Sequence, residues 1–277
     1  MQVFAKSSDV KEIAGSKKGV TGFVPTMGAL HEGHLSLVSR CRSECDTVAV
    51  SIFVNPTQFN DKNDLKNYPR TLEADLALLE QAGADLVFAP DEKEMYPAPD
   101  TRVFDLGGLD DVMEGPLRPG HFNGVAQVVT RLFEIVGPQR AYFGEKDFQQ
   151  LAIIRHLVRT LGLPVEIVGC PIRRGGDGLA LSSRNALLTP AHRAAAPKIY
   201  AALQKGVAMM PDHSVAETAR AVAEAIDSDP LLQTEYFNLV DAATLRSVGA
   251  WDEAPAIQGC VAVRAGEIRL IDNIRFK

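Results

Sequence analysis

The 277 residues contain no uninterrupted apolar stretch approaching the roughly 18 residues a membrane-spanning helix needs, so nothing in them reads as a bilayer span. The first ten, MQVFAKSSDV, lack both the apolar core and the small-residue cleavage site of a secretory leader. Basic excess is missing too. A net charge of −6 argues against a nucleic-acid partner, which leaves a basic footprint, but allows a local basic site for a small anion. Cysteine is scarce, with Cys41, Cys45, Cys170 and Cys260 the full set and no C-x-x-C pair among them. Cys41 and Cys45 fit neighbouring turns of one helix. Reduced, partly buried thiols and a cytoplasmic compartment are therefore expected. Neither an internal repeat nor a low-complexity tract is present.

What is there is the balance of a globular protein, 46% apolar and 23% charged, long enough for one large domain or two unequal ones. An apolar, strand-like run followed by an amphipathic helix recurs along the first part. Residues 19–25 (GVTGFVP) lead into a helical segment near 34–42, and 47–54 (TVAVSIFV) have the nearly continuous apolar character of a strand covered on both faces. Leu72, Leu76 and Leu79 keep helical spacing, with Gly83 as the stop, before a strand over 85–89. Val125, Val128, Val129, Leu132, Phe133 and Val136 line one helix face. A strand over 140–143, a helix over 148–161 and a fifth strand over 165–169 complete the series. This alternation predicts an α/β fold, a parallel sheet with helices on both faces.

Past about residue 176 the pattern changes. Thr189-Pro190 reads as an N-cap and first turn, opening one alanine-rich helix to about Ala208, and a second helix covers 215–226. Segments 235–240, 260–264 and 267–271 read as a small antiparallel sheet, with Ala265-Gly266 as a turn. A second, α+β domain follows, and the glycine- and arginine-rich stretch 173–179 is the candidate hinge.

In open parallel sheets, ligands bind beyond the carboxyl ends of the strands. Four polar clusters are expected there: 25–34, 55–59, 144–150 and 170–174. In the first, His31-Glu32-Gly33-His34 stands where a strand turns into a helix, whose amino end is a natural seat for phosphate. Two imidazoles there can donate to phosphate oxygens as charge builds. Ligation of a metal, or a purely structural histidine pair, fits the same spacing. Gly144-Glu145-Lys146-Asp147 puts a lysine, a compact charge suited to polyphosphate, on a glycine turn; alone, it would read as a solvated surface lysine. Leu181-Ser182-Ser183-Arg184 reads either as a loop that closes over phosphates or as a serine helix cap. Asn55, Gln58 and Gln150 are neutral amides suited to hydroxyls and a carboxylate.

Six motifs in register, PTMGALHEGH (25–34), FVNPTQF (53–59), YPRT (68–71), RPGHFNGV (118–125), FGEKDFQQL (143–151) and DGLALSSRN (177–185), resemble the pantothenate synthetase family. The similarity runs from about residue 20 to 190 and more loosely beyond. H-x-G-H with a later serine-rich loop is also similar to the wider nucleotidyltransferase superfamily that includes class I aminoacyl-tRNA synthetases. Another member of that superfamily, acting on a small phosphate substrate, is the alternative.

The resemblance implies a Rossmann-like ATP- and pantoate-binding domain over 1–176 and a smaller C-terminal α+β lid domain over 177–277. It also implies a homodimer and a requirement for Mg²⁺. The activity it implies is condensation of pantoate with β-alanine through a pantoyl-adenylate. Carried over by position, Met27, Gly28, Ala29, Leu30, His31, Glu32, Gly33 and His34 would wrap the ATP. Gly144, Glu145, Lys146, Asp147, Arg173, Leu181, Ser182, Ser183 and Arg184 would hold the rest of the nucleotide. His31, His34, Lys146 and Arg184 would act on the phosphates. Gln58 would contact pantoate and β-alanine, Gln150 would contact pantoate, and Asn55 would help to position pantoate or the bound nucleotide. Two positions depart from the family pattern: Thr57 replaces an expected methionine, and Arg173 an expected apolar residue near the adenine.

Overall fold

The structure is a computed structural model that describes residues 1–210 and 212–277. Its contacts gather into two compact units, Met1–Glu145 with Gln150–Pro171, and Lys146–Gln149 with Ile172–Lys277.

The first unit runs β1 (Gln2–Phe4), α1 (Ser7–Ser16), β2 (Thr21–Thr26), α2 (Glu32–Glu44), β3 (Thr47–Ile52), α3 (Lys62–Asn67), α4 (Leu72–Gln81) and β4 (Leu86–Phe88). Two single-turn helices, α5 (Glu92–Met95) and α6 (Glu114–Leu117), precede α7 (His121–Val136), β5 (Arg140–Gly144), α8 (Phe148–Leu161) and β6 (Glu166–Cys170). The six strands form one sheet in the order β1-β4-β3-β2-β5-β6, every pair parallel.

Successive side chains of a strand point to opposite faces, and the two cores follow that rule. Phe23, Ala49, Leu86, Phe88, Ala141 and Phe143 join the core that includes α1 and α7. Their neighbours Val24, Val48, Val50, Val87 and Tyr142 join the core on α2 and α4. Apolar character on both faces is why these strands read as runs and not as alternations. Fully burying one such side chain contributes roughly 1.5–3 kcal/mol.

The sheet has six strands where the sequence predicts five. The extra one, β1, is three residues long and exposed at Gln2 and Val3, so it carries no apolar run; pairing with β4 creates it. The predicted face of α4 also shifts. Leu79 is fully buried but Leu72 is 45% exposed, and Asp75, on the same stripe, is 1% exposed.

The second unit contains α9 (Pro190–Ala195), α10 (Lys198–Met209), α11 (Val215–Asp227) and the antiparallel sheet β7 (Gln233–Asp241), β8 (Ile257–Ala265) and β9 (Ile268–Arg275), in the order β7-β8-β9. The single helix expected over 190–208 is two helices. Pro197 lacks an N–H and its ring crowds the carbonyl four residues back, so the chain steps there despite its alanines. Thr189 does cap α9, accepting from His192 N. The tight turn is Gly266-Glu267, one residue beyond the expected Ala265-Gly266, because Ala265 still pairs with Ile268. All four cysteines are buried and outside any disulfide, with Cys41 on α2 and Cys45 at its C-cap. Among the described residues no helix is long and apolar enough to cross a membrane.

Candidate active site

Along the chain, the first unit's sheet grows from β2 outward through β3 and β4, then returns to place β5 and β6 on β2's other side. The switch point therefore lies between β2 and β5, where open α/β sheets bind ligands. The predicted polar clusters follow β3, β2, β5 and β6, which are four adjacent strands.

The loop after β2 is the most tightly specified. Gly28 takes φ +82° and Ala29 φ +50°, so the backbone turns sharply and points successive amides one way. Those amides are already engaged. Ala29 N and Leu30 N donate to the two oxygens of Asp75 at 3.0 and 2.8 Å, and Thr71 Oγ1 adds a third donor at 3.2 Å. Gly28 N donates to Thr26 Oγ1 at 3.2 Å. A Cβ on Gly28 would lie 3.0 Å from Asp75 Oδ2, so glycine is required by space as well as by φ.

His31 and His34 form a reciprocal cap on α2. His31 Nδ1 accepts from Gly33 N at 3.1 Å, and His34 Nδ1 accepts from His31 N at 3.4 Å. Their rings lie 4.1 Å apart. An acceptor Nδ1 in a neutral imidazole puts the proton on Nε2. Each ring thus has a structural nitrogen and a donor nitrogen, so the structural and functional readings of the pair are compatible. Glu32, beside them, is exposed, and Met27 and Gly33 are half-buried.

The turn after β3 is a 3-10 turn, Pro56–Gln58, capped by Asn55. Asn55 is 1% and Gln58 8% exposed. Asn55 Nδ2 donates to Gln58 Oε1 at 3.2 Å, and Gln58 Nε2 donates to Met27 Sδ at 3.3 Å. The structure thereby brings Gln58 and Met27, from two of the clusters, into contact. Gly124 on α7 packs so closely that a Cβ there would lie 2.5 Å from the Thr57 carbonyl oxygen. Gly144 and Glu145 are half-buried at the end of β5, and Gln150 is half-buried in the first turn of α8. Burial pushes the Cys170 thiol, at the end of β6, up to about 11, so it is not a nucleophile near neutral pH.

The remaining candidates belong to the second unit. Lys146 is anchored through its backbone, since Asn273 Nδ2 donates to the Lys146 carbonyl at 2.9 Å. Its ammonium lies 3.9 Å from Asp147 Oδ1. Leu181 N donates to the Arg173 carbonyl at 2.9 Å, while the Arg173 side chain is exposed. Ser182 caps the 3-10 turn Ser183–Leu187, its Oγ accepting from Arg184 N at 3.3 Å, and Ser183 and Arg184 are half-buried. The neighbouring Arg174 is consumed structurally. It makes a bidentate pair with Asp272 at 2.6 and 2.9 Å and stacks 3.6 Å over the Tyr200 ring. Asp75 and Asn273 are the residues that the sequence reading missed.

A parallel sheet whose switch point carries a histidine-capped helix beside an amide-lined turn defines an α/β nucleotide- and small-substrate-binding protein. The model of the pantoate-beta-alanine ligase family matches residues 2–275. The chain belongs to that family. It is 52% identical over 280 residues to the pantothenate synthetase of Porphyromonas gingivalis, with 100% of both chains covered. Against that of Bacteroides thetaiotaomicron it is 58% identical over 256 residues, 92% of this chain and 91% of the relative. The crystal structure of pantothenate synthetase from Thermus thermophilus matches with a TM-score of 0.94 and 48% identity, over 100% and 99% of the chains. Pantoate-beta-alanine ligase from Francisella tularensis, solved in complex with beta-gamma ATP and beta-alanine, matches with a TM-score of 0.84 and 35% identity, over 100% and 98%.

Proposed function

We propose that the chain condenses pantoate with β-alanine at the expense of ATP, releasing AMP and pyrophosphate. The observation that carries this is full-length family membership, together with a relative crystallised with beta-gamma ATP and beta-alanine.

A carboxylate resists amines because its leaving group would be oxide, and adenylation removes that obstacle. A pantoate carboxylate oxygen attacks the α-phosphorus of ATP, the bond to the β-phosphate's bridging oxygen breaks, and pyrophosphate leaves. The amine of β-alanine then attacks the acyl carbon and AMP departs with the C–O electron pair, the amine's proton passing to solvent. The first step needs alignment and charge neutralisation more than a base, since the carboxylate is already ionised.

In this reading the Nε2–H groups of His31 and His34 meet developing phosphate charge, supported by Lys146 and Arg184. Residues 27–34, with Gly144, Glu145, Asp147, Arg173, Leu181, Ser182 and Ser183, hold the nucleotide. Asn55, Gln58 and Gln150 hold pantoate and β-alanine. The second unit acts as the lid, and the working assembly is a cytoplasmic homodimer, to be tested by light scattering on the eluting protein. Magnesium ion, when bound, neutralises polyphosphate charge. It is a hard cation served by oxygen donors. Among the described residues no three metal-ligating side chains gather, so the ion is proposed to arrive on ATP, with exposed Asp147 as the chain's carboxylate donor in that segment.

The test is product analysis with ATP, pantoate and β-alanine, omitting each in turn, with exchange of labelled pyrophosphate into ATP. Exchange that depends on pantoate alone is expected. AMP formation without pantoate, or exchange that requires β-alanine, overturns the reading.

A further inference from the structure

The turn after β3 contains a closed hydrogen-bond network that reaches beyond the substrate-facing amides. Asn55 is its hub. Its Nδ2 donates to the Gly124 carbonyl at 3.1 Å as well as to Gln58. Its Oδ1 accepts from Thr57 N at 3.4 Å, Thr57 Oγ1 at 3.1 Å and the Tyr96 hydroxyl at 2.9 Å.

Side-chain amides are ambiguous by half a turn unless their partners decide. Here two partners have fixed polarity, because a backbone N–H only donates and a carbonyl only accepts. Asn55 therefore has one admissible orientation, and it transmits that orientation. An incoming Nδ2–H obliges Gln58 to answer with Oε1. Gln58 is left with its NH₂ directed to Met27 Sδ, and sulfur is a weak acceptor that a ligand oxygen displaces. Tyr96 stands at the C-cap of α5, ring against Phe53, and burial raises its pKa, so it stays a protonated donor near neutral pH. The Thr57 hydroxyl supplies the second side-chain donor to the same oxygen.

We propose that Tyr96 and Thr57 are positioning residues that set substrate specificity: acting through Asn55, they lock Gln58 as a hydrogen-bond donor, so that the pocket selects a ligand offering a carboxylate or hydroxyl oxygen there. The proposal rests on the assignment of Gln58 to pantoate made above. It excludes an amide-bearing analogue that would present an N–H at that point.

Steady-state kinetics with pantoate and ATP varied separately test it, with circular dichroism checking the fold. Tyr96→Phe is expected to raise KM for pantoate roughly fivefold, the loss of about one neutral hydrogen bond, while KM for ATP and kcat move less than twofold. Thr57→Val is expected to act in the same direction but more weakly, and Thr57→Ser to restore the parent value. On an Asn55→Ala background, Tyr96→Phe should add nothing; should Asn55→Ala not fold, Gln58→Ala serves as the background. Equal rises in both KM values, a pantoate effect below twofold, or an undiminished effect on the Asn55→Ala background overturns the proposal. If Gln58→Ala itself leaves the pantoate KM unchanged, the assignment of Gln58 falls and this inference with it. If Gln58→Ala raises that KM and Tyr96→Phe does not, the inference alone falls.

Discussion

The segments that leave β2 and β3 emerge from adjacent strands and are fixed by opposite means. The loop after β2 is held by a buried charge, the Asp75 carboxylate gripping Ala29 N and Leu30 N. The turn after β3 is held by neutral amides and hydroxyls centred on Asn55. The difference matches the ligands proposed for each. A glycine loop that receives a polyanion needs an anchor strong enough to resist the pull on its own amides, and hydrogen bonds to charged groups are the stronger kind. A pocket for a small carboxylate or hydroxyl can be built from neutral donors, whose fixed orientation selects the ligand.

Five substitutions, in descending order of effect, test that contrast and its limits. The largest effect is expected on the loop side. His34→Ala, and Lys146→Ala in the second unit, should each lower adenylation by at least about a hundredfold with the fold intact, since losing one oxyanion contact costs about 10²–10³ in rate. Pre-steady-state pyrophosphate release measures this, and a loss below about tenfold removes that residue from the mechanism.

Asp75→Ala should come next. It removes the shared acceptor of Ala29 N, Leu30 N and Thr71 Oγ1 and is expected to cost roughly 2–4 kcal/mol in denaturant unfolding, and to raise KM for ATP more than KM for pantoate. Equal effects on both substrates would erase the distinction between the two latches.

Asn273→Ala removes the donor to the Lys146 carbonyl. A several-fold rise in KM for ATP with pantoate unaffected is expected, on the order of one lost hydrogen bond; a rise for pantoate alone would contradict it.

The smallest effect lies outside both segments. Hydrogen bonds from the Ser7 hydroxyl and amide, with Lys6 beside them, hold the Glu94 carboxyl down at about 2. A folded pKa below the ordinary 4.5 stabilises the fold above that value and loses the contribution as pH falls towards 2. Melting temperatures of the parent and Glu94→Gln should therefore differ at pH 6 and converge between about pH 4.5 and 2, with kinetics at pH 7 unchanged.

Much of this is legible in the sequence. Continuous apolar runs mark five of the six strands, and polar clusters mark the carboxyl ends of four adjacent ones. Residues whose role depends on distant partners are not legible. Asp75 interrupts the Leu72–Leu76–Leu79 stripe of α4, and a lone carboxylate on an apolar stripe is the available signal. Its partners lie 45 and 46 residues upstream. Of the adjacent arginines 173 and 174, the first is exposed and the second is tied down by an aspartate 98 residues away, and nothing local separates them. The break at Pro197 is written in the sequence, and the helix-favouring alanines around it do not override the proline.

The anchor on Lys146 has a consequence for biosynthesis. The donor that holds its carbonyl lies 127 residues downstream. Every residue of the parallel sheet, the histidine cap and both latches is synthesised before the donor that holds the lysine's carbonyl. The contact supplied by β9 thus comes last in synthesis, and nascent chains stalled before residue 273 are expected to bind nucleotide less firmly than their completed counterparts.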